Sequence, residues 1–497
     1  MKKYAVMDGN EACAHISYLF TEVAAIYPIT PASPMAELFD DFASKSKPNI
    51  FGTPVKVVEM QSEKGAIGMM HGSLQAGCLS TTFTASQGLL LMIPNMYKIA
   101  GEMLPGVIHV AARSIATHAL SILGDHQDIY ATRMTGFAML ASSNVQQAHD
   151  LAAVAHLSAI KGRLPFLHFF DGFRTSHELQ KIELLDEQAL ISLIDMNKIT
   201  AFRDNSLNIN KNITRGTTQN DDVYFQASEV RNQYYNDIPD TVNYYMQQIN
   251  TITGRDYAPF NYYGAKDATK IIVAMGSVCD TIKETIDNMN EKIGLIEVHL
   301  YRPFSSKYFF NVLPTTVKKI AVLDRTKEAG SSGEPLYLDI VNMFNNNQDK
   351  PLIIGGRYGL SSKDTNPSHI KAVYDFLDDK DNFNGFTVGI EDDVTNLSLK
   401  PNDFTINKNN IIEFLIWGYG SDGMVGASKD IIKIMGDITG NYVQGYFQYD
   451  SKKSGGVTKS HLRFSNDNIR MPYYVTSPHV VVCSKEFYID KYDILKD

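Results

Sequence analysis

Between residues 1 and 180 short apolar runs alternate with small-residue or amphipathic stretches. The runs are "EVAAIYP", "CLSTTFTAS", "GVIHVAAR", "GFAMLASS" and "LPFLHFFDG", and this alternation predicts a parallel sheet flanked by helices. From about 200 to 262 the text turns polar ("FRDNSLNINKNITRGTTQNDD"), which predicts a connecting arm with one or two helices rather than a sheet. The first domain, arm included, therefore spans 1–262. "TKIIVAMGS", "KIGLIEVHLYRPF", "KKIAVLDRT" and "KPLIIGGRYG" predict four more strands with helices between, a second and smaller α/β domain over 263–380. A polar linker, 381–410, follows. Residues 411–497 start a third α/β unit: strand "IIEFLIWGYG", helix "ASKDIIKIMGDITG", strand "NYVQGYFQYD", then "HLRFS", "PYYVTS", "HVVVCS" and the start of a helix at "EFYIDKYDILKD". Roughly 90 residues is short for a doubly wound domain, so this unit is expected to be incomplete without more chain or a partner.

Composition narrows the class. With 497 residues, 44% hydrophobic and 20% charged, the chain has an ordinary globular balance. No apolar run approaches the roughly 18 residues of a membrane span, so no bilayer is implied. A net charge of -9 argues against a nucleic-acid footprint. Cys13, Cys78, Cys279 and Cys483 lie far apart with no CxxC pair, so neither a zinc site nor an iron–sulfur cluster is read, and no metal ligand is assigned. The opening "MKKYAVMDGNEAC" carries no targeting pattern; a reduced cytoplasm is the expected home.

In an open parallel sheet, ligands sit in the crevice at the carboxyl ends of the strands. The strand ends then form a candidate list. After "EVAAIY" comes Pro28-Ile29-Thr30-Pro31, a stiff turn that presents the Thr30 hydroxyl before Ser33 and Pro34 open a helix as N-cap and first residue. After "PVKVV" comes "VEMQSEKGAIGMMHGSLQAG", with Glu59 and Glu63 ahead of Gly65, Ala66, Gly68 and Gly72, a helix whose backbone can be approached closely. After "GVIHVAA" comes Arg113. Each has a bland reading: a turn threonine, a helix-dipole acid, a surface ion pair. Together they form a candidate site of hydroxyl, carboxylate and guanidinium.

"YPITPASPMAE", "EMQSEKGA", "TTFTASQGLLLMIPNMYKIAGEMLPGVIHVAAR", "GDHQDIYATRMTGFAMLASS" and "PFLHFFDGFRTSHE" closely resemble the amino-terminal part of the pyruvate:ferredoxin (flavodoxin) oxidoreductases, of the 2-oxoacid:ferredoxin oxidoreductase family. The likeness runs on through "RYGLSSKDTNP", "GIEDDVTNLSL" and "GYGSDGMVGASK". It implies three consecutive domains: a pyrimidine-binding thiamine diphosphate domain, a transketolase C-terminal-like domain and the start of a gamma-type, Rossmann-like coenzyme A domain. It implies that Glu63 hydrogen-bonds the cofactor's aminopyrimidine, and that Thr30 and Arg113 hold the 2-oxo acid. Lys64, where the family usually has a small residue, is a departure; adjacent helix residues diverge by about 100°, so it is expected to face away from the site. The activity implied is oxidative decarboxylation of pyruvate to acetyl-CoA and CO2, with electrons passed to ferredoxin or flavodoxin by a homodimer. Mg2+, the diphosphate and [4Fe-4S] clusters are implied on chains or domains beyond this one.

"WGYGSDGMVG" sets Gly418, Gly420 and Gly423 in GxGxxG spacing between a strand and a helix. A dinucleotide fingerprint wants an acid at the end of the next strand; here Asp450 is followed by Lys452 and Lys453, which suit additional phosphates better than a ribose diol. The resemblance places coenzyme A on Gly420, Ser421, Asp422, Gly423 and Met424 and on Lys452. A tight turn without a ligand is the bland alternative. His71, His109, His118 and His126 are given no role. Besides a split enzyme, two other readings stand: a truncated, non-catalytic fragment, and a coenzyme A-binding module without catalysis.

Overall fold

The computed structural model describes every residue except 1, 210–213, 346, 348, 405, 407–409, 451–454, 496 and 497. Its strands form three sheets. The first has seven strands in the order Leu300–Arg302, Ala138–Ser142, Phe166–Asp171, Val107–Ala112, Ser80–Thr84, Val23–Ile26, Lys56–Glu59. All pairs are parallel except the outermost, Leu300–Arg302 against Ala138–Ser142. The central strands are buried along their whole length, as continuous apolar runs in a two-faced parallel sheet must be. Helices Ser33–Ser44, Glu63–Gln75, Ser86–Gly101 and Val145–Gly162 connect them. Lys56–Glu59 is a half-exposed edge.

The arm carries helices Asp221–Glu229 and Asn232–Thr253. It leads to a six-stranded second sheet ordered Phe386–Thr387, Leu352–Arg357, Lys319–Asp324, Lys270–Ala274, Ile293–Val298, Phe260–Gly264, parallel except for its last pair. "KIGLIEVHLYRPF", expected as one strand, is two. Ile293–Val298 stays in the second sheet, and Leu300–Arg302 crosses to the edge of the first, where Ala141 N donates to His299 O (2.7 Å).

The third sheet departs most from expectation. Its order is Lys3–Met7, Leu179–Leu184, Tyr442–Tyr449, Val457–Ser465, Ile411–Tyr419, Val480–Cys483, and only the last pair is parallel. The Rossmann-like pattern is thus a mixed sheet: Ile411–Tyr419 and Tyr442–Tyr449, joined by helix Met424–Ile438, flank Val457–Ser465 instead of pairing with each other. Two of its strands come from the first domain's stretch of chain. A Cβ on Gly436 would lie 2.3 Å from Val6 and 3.0 Å from Val443, so the helix rests directly on the amino-terminal strand. "PYYVTS" forms no strand. Pro472 has no N–H to give a ladder, and the carbonyls of Met471 and Tyr473 are taken by the buried Arg463 (2.8 and 2.9 Å), itself paired with Glu413 (2.8 Å). After Val480–Cys483, among the described residues, "EFYIDKYDILKD" forms a short 3-10 turn, Glu486–Tyr488, and no longer helix.

Buried charges lock the units together. Asp171, at the end of a first-sheet strand, receives Arg325 Nη1 (2.5 Å), Ser277 N (2.9 Å) and Ser277 Oγ (2.5 Å) from the second unit, and meets His126 Nε2 (2.5 Å). Burial opposes its ionisation, yet Arg325 and His126 hold the carboxyl far below the usual range. Arg174 ties all three: it pairs with Asp364 of the second unit (3.0 Å) and lies over the ring of Tyr446 of the third (3.7 Å to the centroid).

Candidate functional site

The Thr30 turn is built from its backbone outward. Ile29 O accepts from Ala32 N (2.8 Å) and Ser33 N (2.9 Å), and Asn10 Nδ2 donates to Pro31 O (2.9 Å). Ser33 is consequently the first helical residue rather than the cap, with Ala32 before it in a helical conformation and Pro34 second. The Thr30 side chain is exposed.

Helix Glu63–Gln75 begins beside this turn, because the strand before it, Lys56–Glu59, pairs with Val23–Ile26. Ser62 caps it, its hydroxyl accepting from Gly65 N (3.2 Å). The two acids of the segment separate here: Glu59 is exposed and Glu63 is 8% exposed, while Lys64 is exposed to solvent. Glu63 reaches across to the next strand-to-helix turn. A Cβ on Gly88 would lie 2.8 Å from Glu63 Oε1 and 2.7 Å from Thr84 Oγ1. Among the described residues the Glu63 carboxylate makes no hydrogen bond or ion pair, and the Thr84 hydroxyl is buried without a partner. Such a carboxylate is costly unless something bonds it, and a ligand carrying ring-nitrogen and amino groups fits that need.

Arg113 closes the crevice from the far side. It is 7% exposed; its Nη1 donates to Thr30 O (2.7 Å) and its Nε to Ser121 O (3.3 Å). Among the described residues Nη2 makes no hydrogen bond. Burial pushes the guanidinium's pKa down, with the Asp128 carboxylate acting against it. The structure therefore joins Thr30 to Arg113 directly, and sets Glu63 at the end of strand Ser80–Thr84, which lies between the Thr30 and Arg113 strands.

Asp128 is fully buried, although in the sequence it has only the look of a first-turn helix acid. Its Oδ2 accepts from Ser86 N (2.7 Å) and Arg113 N (3.0 Å). Burial pushes its carboxyl up to about 8, against these backbone bonds, which favour the ionised form. The histidines also pack more purposefully than expected. His109 Nδ1 meets His168 Nδ1 (2.9 Å), His109 Nε2 meets His156 Nε2 (3.1 Å), and His168 Nε2 meets Ser142 Oγ (2.8 Å). Cys13 Sγ lies 3.9 Å from His168 Nδ1, so Cys13, His109 and His168 converge in the core. Every ring nitrogen of His109 and His168 is satisfied within this chain of neutral imidazoles, whose pKa values burial drives down, to about 3 for His156 and His168.

At the third unit's turn, Gly423 has φ +86° and Ser421 φ +72°. Gly420 N donates to Gly456 O (2.8 Å), and a Cβ on Gly420 would press on the backbone of Gly455 and Gly456. The Asp422 carboxylate works inside the turn, accepting from Tyr419 N (2.8 Å), Met424 N (3.0 Å) and Ser484 Oγ (2.8 Å). Ser421, Asp422 and Gly423 are exposed, Gly420 and Met424 half-buried. Lys452 and Lys453 lie outside the described residues, and Asp450 is exposed at the strand's end.

Known proteins match this chain throughout. A thiamine diphosphate-binding model of pyruvate flavodoxin/ferredoxin oxidoreductase matches residues 16–247, a pyruvate:ferredoxin oxidoreductase core domain II model residues 268–370, and a pyruvate ferredoxin/flavodoxin oxidoreductase model residues 413–497. The pyruvate-flavodoxin oxidoreductase of Klebsiella pneumoniae is 57% identical over 498 residues, 99% of this chain. The chain belongs to the pyruvate:ferredoxin (flavodoxin) oxidoreductase family. The family's pyruvate:ferredoxin oxidoreductase of Moorella thermoacetica is 54% identical over 494 residues, again 99% of this chain. This chain spans 42% of the length of each of these relatives and matches their amino-terminal portion. Among solved structures, a 2-oxoglutarate:ferredoxin oxidoreductase from Magnetococcus marinus superposes with a TM-score of 0.56 at 17% identity, covering 75% of this chain and 65% of that one. That likeness establishes the α/β fold. Among the described residues, no helix is long and apolar enough to cross a membrane.

Proposed function

We propose that this chain supplies the pyrimidine-binding and substrate-binding half of a thiamine diphosphate site in an enzyme that oxidatively decarboxylates pyruvate, delivers the acetyl group to coenzyme A and passes two electrons to ferredoxin or flavodoxin. The observation that carries the reading is the Glu63 carboxylate: buried, unbonded, and set across a strand-end crevice from an arginine with an unused N–H group. When bound, thiamine diphosphate supplies the carbanion chemistry and the electron sink. Glu63 holds a proton shared with a pyrimidine ring nitrogen, a role that suits a carboxyl kept from bulk water. The Arg113 guanidinium pairs with the pyruvate carboxylate through Nη2 in a charge-assisted bond, while its bonds to Thr30 O and Ser121 O keep it aimed. The exposed Thr30 hydroxyl is the group this reading gives to the keto acid from the same turn. Gly88 leaves room against Glu63 that a side chain would fill.

Coenzyme A is assigned to the exposed Gly420–Met424 turn and to Lys452. The positive φ values at Ser421 and Gly423 and the following helix start support close approach of phosphate to backbone there. Magnesium, the diphosphate and [4Fe-4S] clusters are assigned to the remaining length of the family's chains, since the four cysteines here are free and scattered. A homodimer in the cytoplasm completes the proposal. The test is a chimera in which this chain replaces the matching segment of the Klebsiella pneumoniae relative, supplied with pyruvate, coenzyme A and a low-potential acceptor. Acetyl-CoA formation that Glu63→Gln abolishes is expected; a folded, cluster-loaded chimera that forms none would overturn the reading and favour a non-catalytic module.

A further inference from the structure

We propose that Ser86 and Asp128 form a clasp that fixes the separation between Glu63 and Arg113, which makes Asp128 a positioning residue for the substrate-binding arginine; the inference rests on the roles given to those two residues above. Neither clasp residue has solvent access. One Asp128 oxygen, Oδ2, takes both Ser86 N (2.7 Å) and Arg113 N (3.0 Å). The Ser86 hydroxyl adds a second contact across the same gap, lying 2.5 Å from Ser114 O, with Gln87 Oε1 the other acceptor for its single proton. Ser86 opens the helix Ser86–Gly101, and two residues on, Gly88 presses against the Glu63 carboxylate. Arg113 and Ser114 continue the strand Val107–Ala112. The clasp therefore binds the element that seats Glu63 to the element that ends in the arginine, and it does so through backbone groups of both.

Two features show that the link is bought with local cost. Ser86 sits at φ +54°, a left-handed conformation unusual for a residue with a side chain, and strain of this kind persists where surrounding structure over-determines it. Among the described residues no cation pairs with the buried Asp128 oxygens, and burial raises its carboxyl. Both Asp128 oxygens are spent on backbone N–H groups, Ser86 and Arg113 on Oδ2 and Ile129 on Oδ1, so what the acid holds is the backbone at the back of the crevice. Asp125 extends the hold: it accepts from Ser114 Oγ (2.6 Å) and from Ser361 N (3.2 Å) of the second unit.

The chimeric enzyme tests this. Asp128→Ala removes the shared acceptor, and pyruvate KM is expected to rise about tenfold with a fall in kcat while thiamine diphosphate affinity stays within about twofold. Asp128→Asn keeps an accepting oxygen and is expected to restore KM to within about threefold. If Asp128→Ala fails to fold, Ser86→Ala carries the test, with a KM rise of about threefold at unchanged melting temperature. Unchanged KM in both variants, an asparagine variant as impaired as the alanine one, or cofactor affinity falling in parallel with KM would overturn the clasp. Should the parent chimera make no acetyl-CoA, the site reading fails instead, and amide hydrogen exchange in this chain still decides the clasp. Asp128→Ala must then accelerate exchange at Ser86 and Arg113 and leave residues 63–75 unchanged; no acceleration overturns it.

Discussion

Gly88→Ala is the sharpest probe of how Glu63 is seated. The added methyl would lie 2.8 Å from Glu63 Oε1, 2.9 Å from Glu63 Cγ and 2.7 Å from Thr84 Oγ1, inside any normal contact. Overpacking of this kind costs about 1–3 kcal/mol, while alanine in a helix returns about 1 kcal/mol relative to glycine, so the net destabilisation is about 0–2 kcal/mol. The carboxylate, being the movable neighbour, must swing away. If it bonds the aminopyrimidine, a charge-assisted hydrogen bond of about 1.5–3 kcal/mol is lost, a weakening of thiamine diphosphate binding by about 10- to 100-fold. Gly72→Ala is the control: on the same helix as Glu63 its methyl meets nothing within 4 Å, and it should stabilise by about 0.5–1 kcal/mol with no change in cofactor affinity. Calorimetric binding to the chimera and thermal melts of both variants read the two effects separately. Cofactor affinity within about twofold of the parent in Gly88→Ala would refute the seating of Glu63 against this turn.

Arg113→Lys replaces a planar fork, whose Nη1 and Nε hold Thr30 O and Ser121 O while Nη2 faces a carboxylate, with one ammonium nitrogen that cannot span those separate positions; pyruvate KM should rise about 10- to 100-fold with cofactor affinity unchanged, as steady-state kinetics and calorimetry would show. The core histidines predict an acid limb of stability. Their folded pKa values lie below the ordinary one, to about 3 for His156 and His168, so their contribution is fully present above the unfolded value and is lost as pH falls from it toward the folded one. Between the unfolded value of about 6.5 and pH 5 each costs about 2 kcal/mol. Denaturant melts at pH 7 and pH 5 should show the fall, and His156→Phe, which removes one titrating ring, should flatten it; an unflattened slope would contradict the neutral assignment.

Much of the candidate site's placement was legible because parallel sheets display ligands at strand ends, and the apolar runs marked where strands stop. Thr30, Glu63 and Arg113 each follow such a run, and topology alone brought them to neighbouring positions. Long-range pairing was not legible in the same way. Lys3–Met7 and Leu179–Leu184 join a sheet whose other strands begin beyond residue 410, and nothing in their local alternation names that partner. Leu300–Arg302 changes sheet within one apolar run, since both sheets reward the same residue types. Asp128 stayed hidden because its partners are backbone N–H groups, which leave no trace in residue identity. Asp422 is named in the sequence only through its place in the glycine turn; residue identity does not show that its carboxylate also braces that turn, accepting from Tyr419 N and Met424 N.

The central claim is that the Glu63 carboxyl bonds the cofactor's pyrimidine, and exchange of the thiazolium C2 proton with deuterated solvent tests it most directly. With the chimera loaded with thiamine diphosphate and no substrate, Glu63→Gln should slow that exchange by about 100-fold or more, the usual scale of a lost proton-transfer partner. An exchange rate equal to the parent's, in a variant shown to bind the cofactor, would contradict the account.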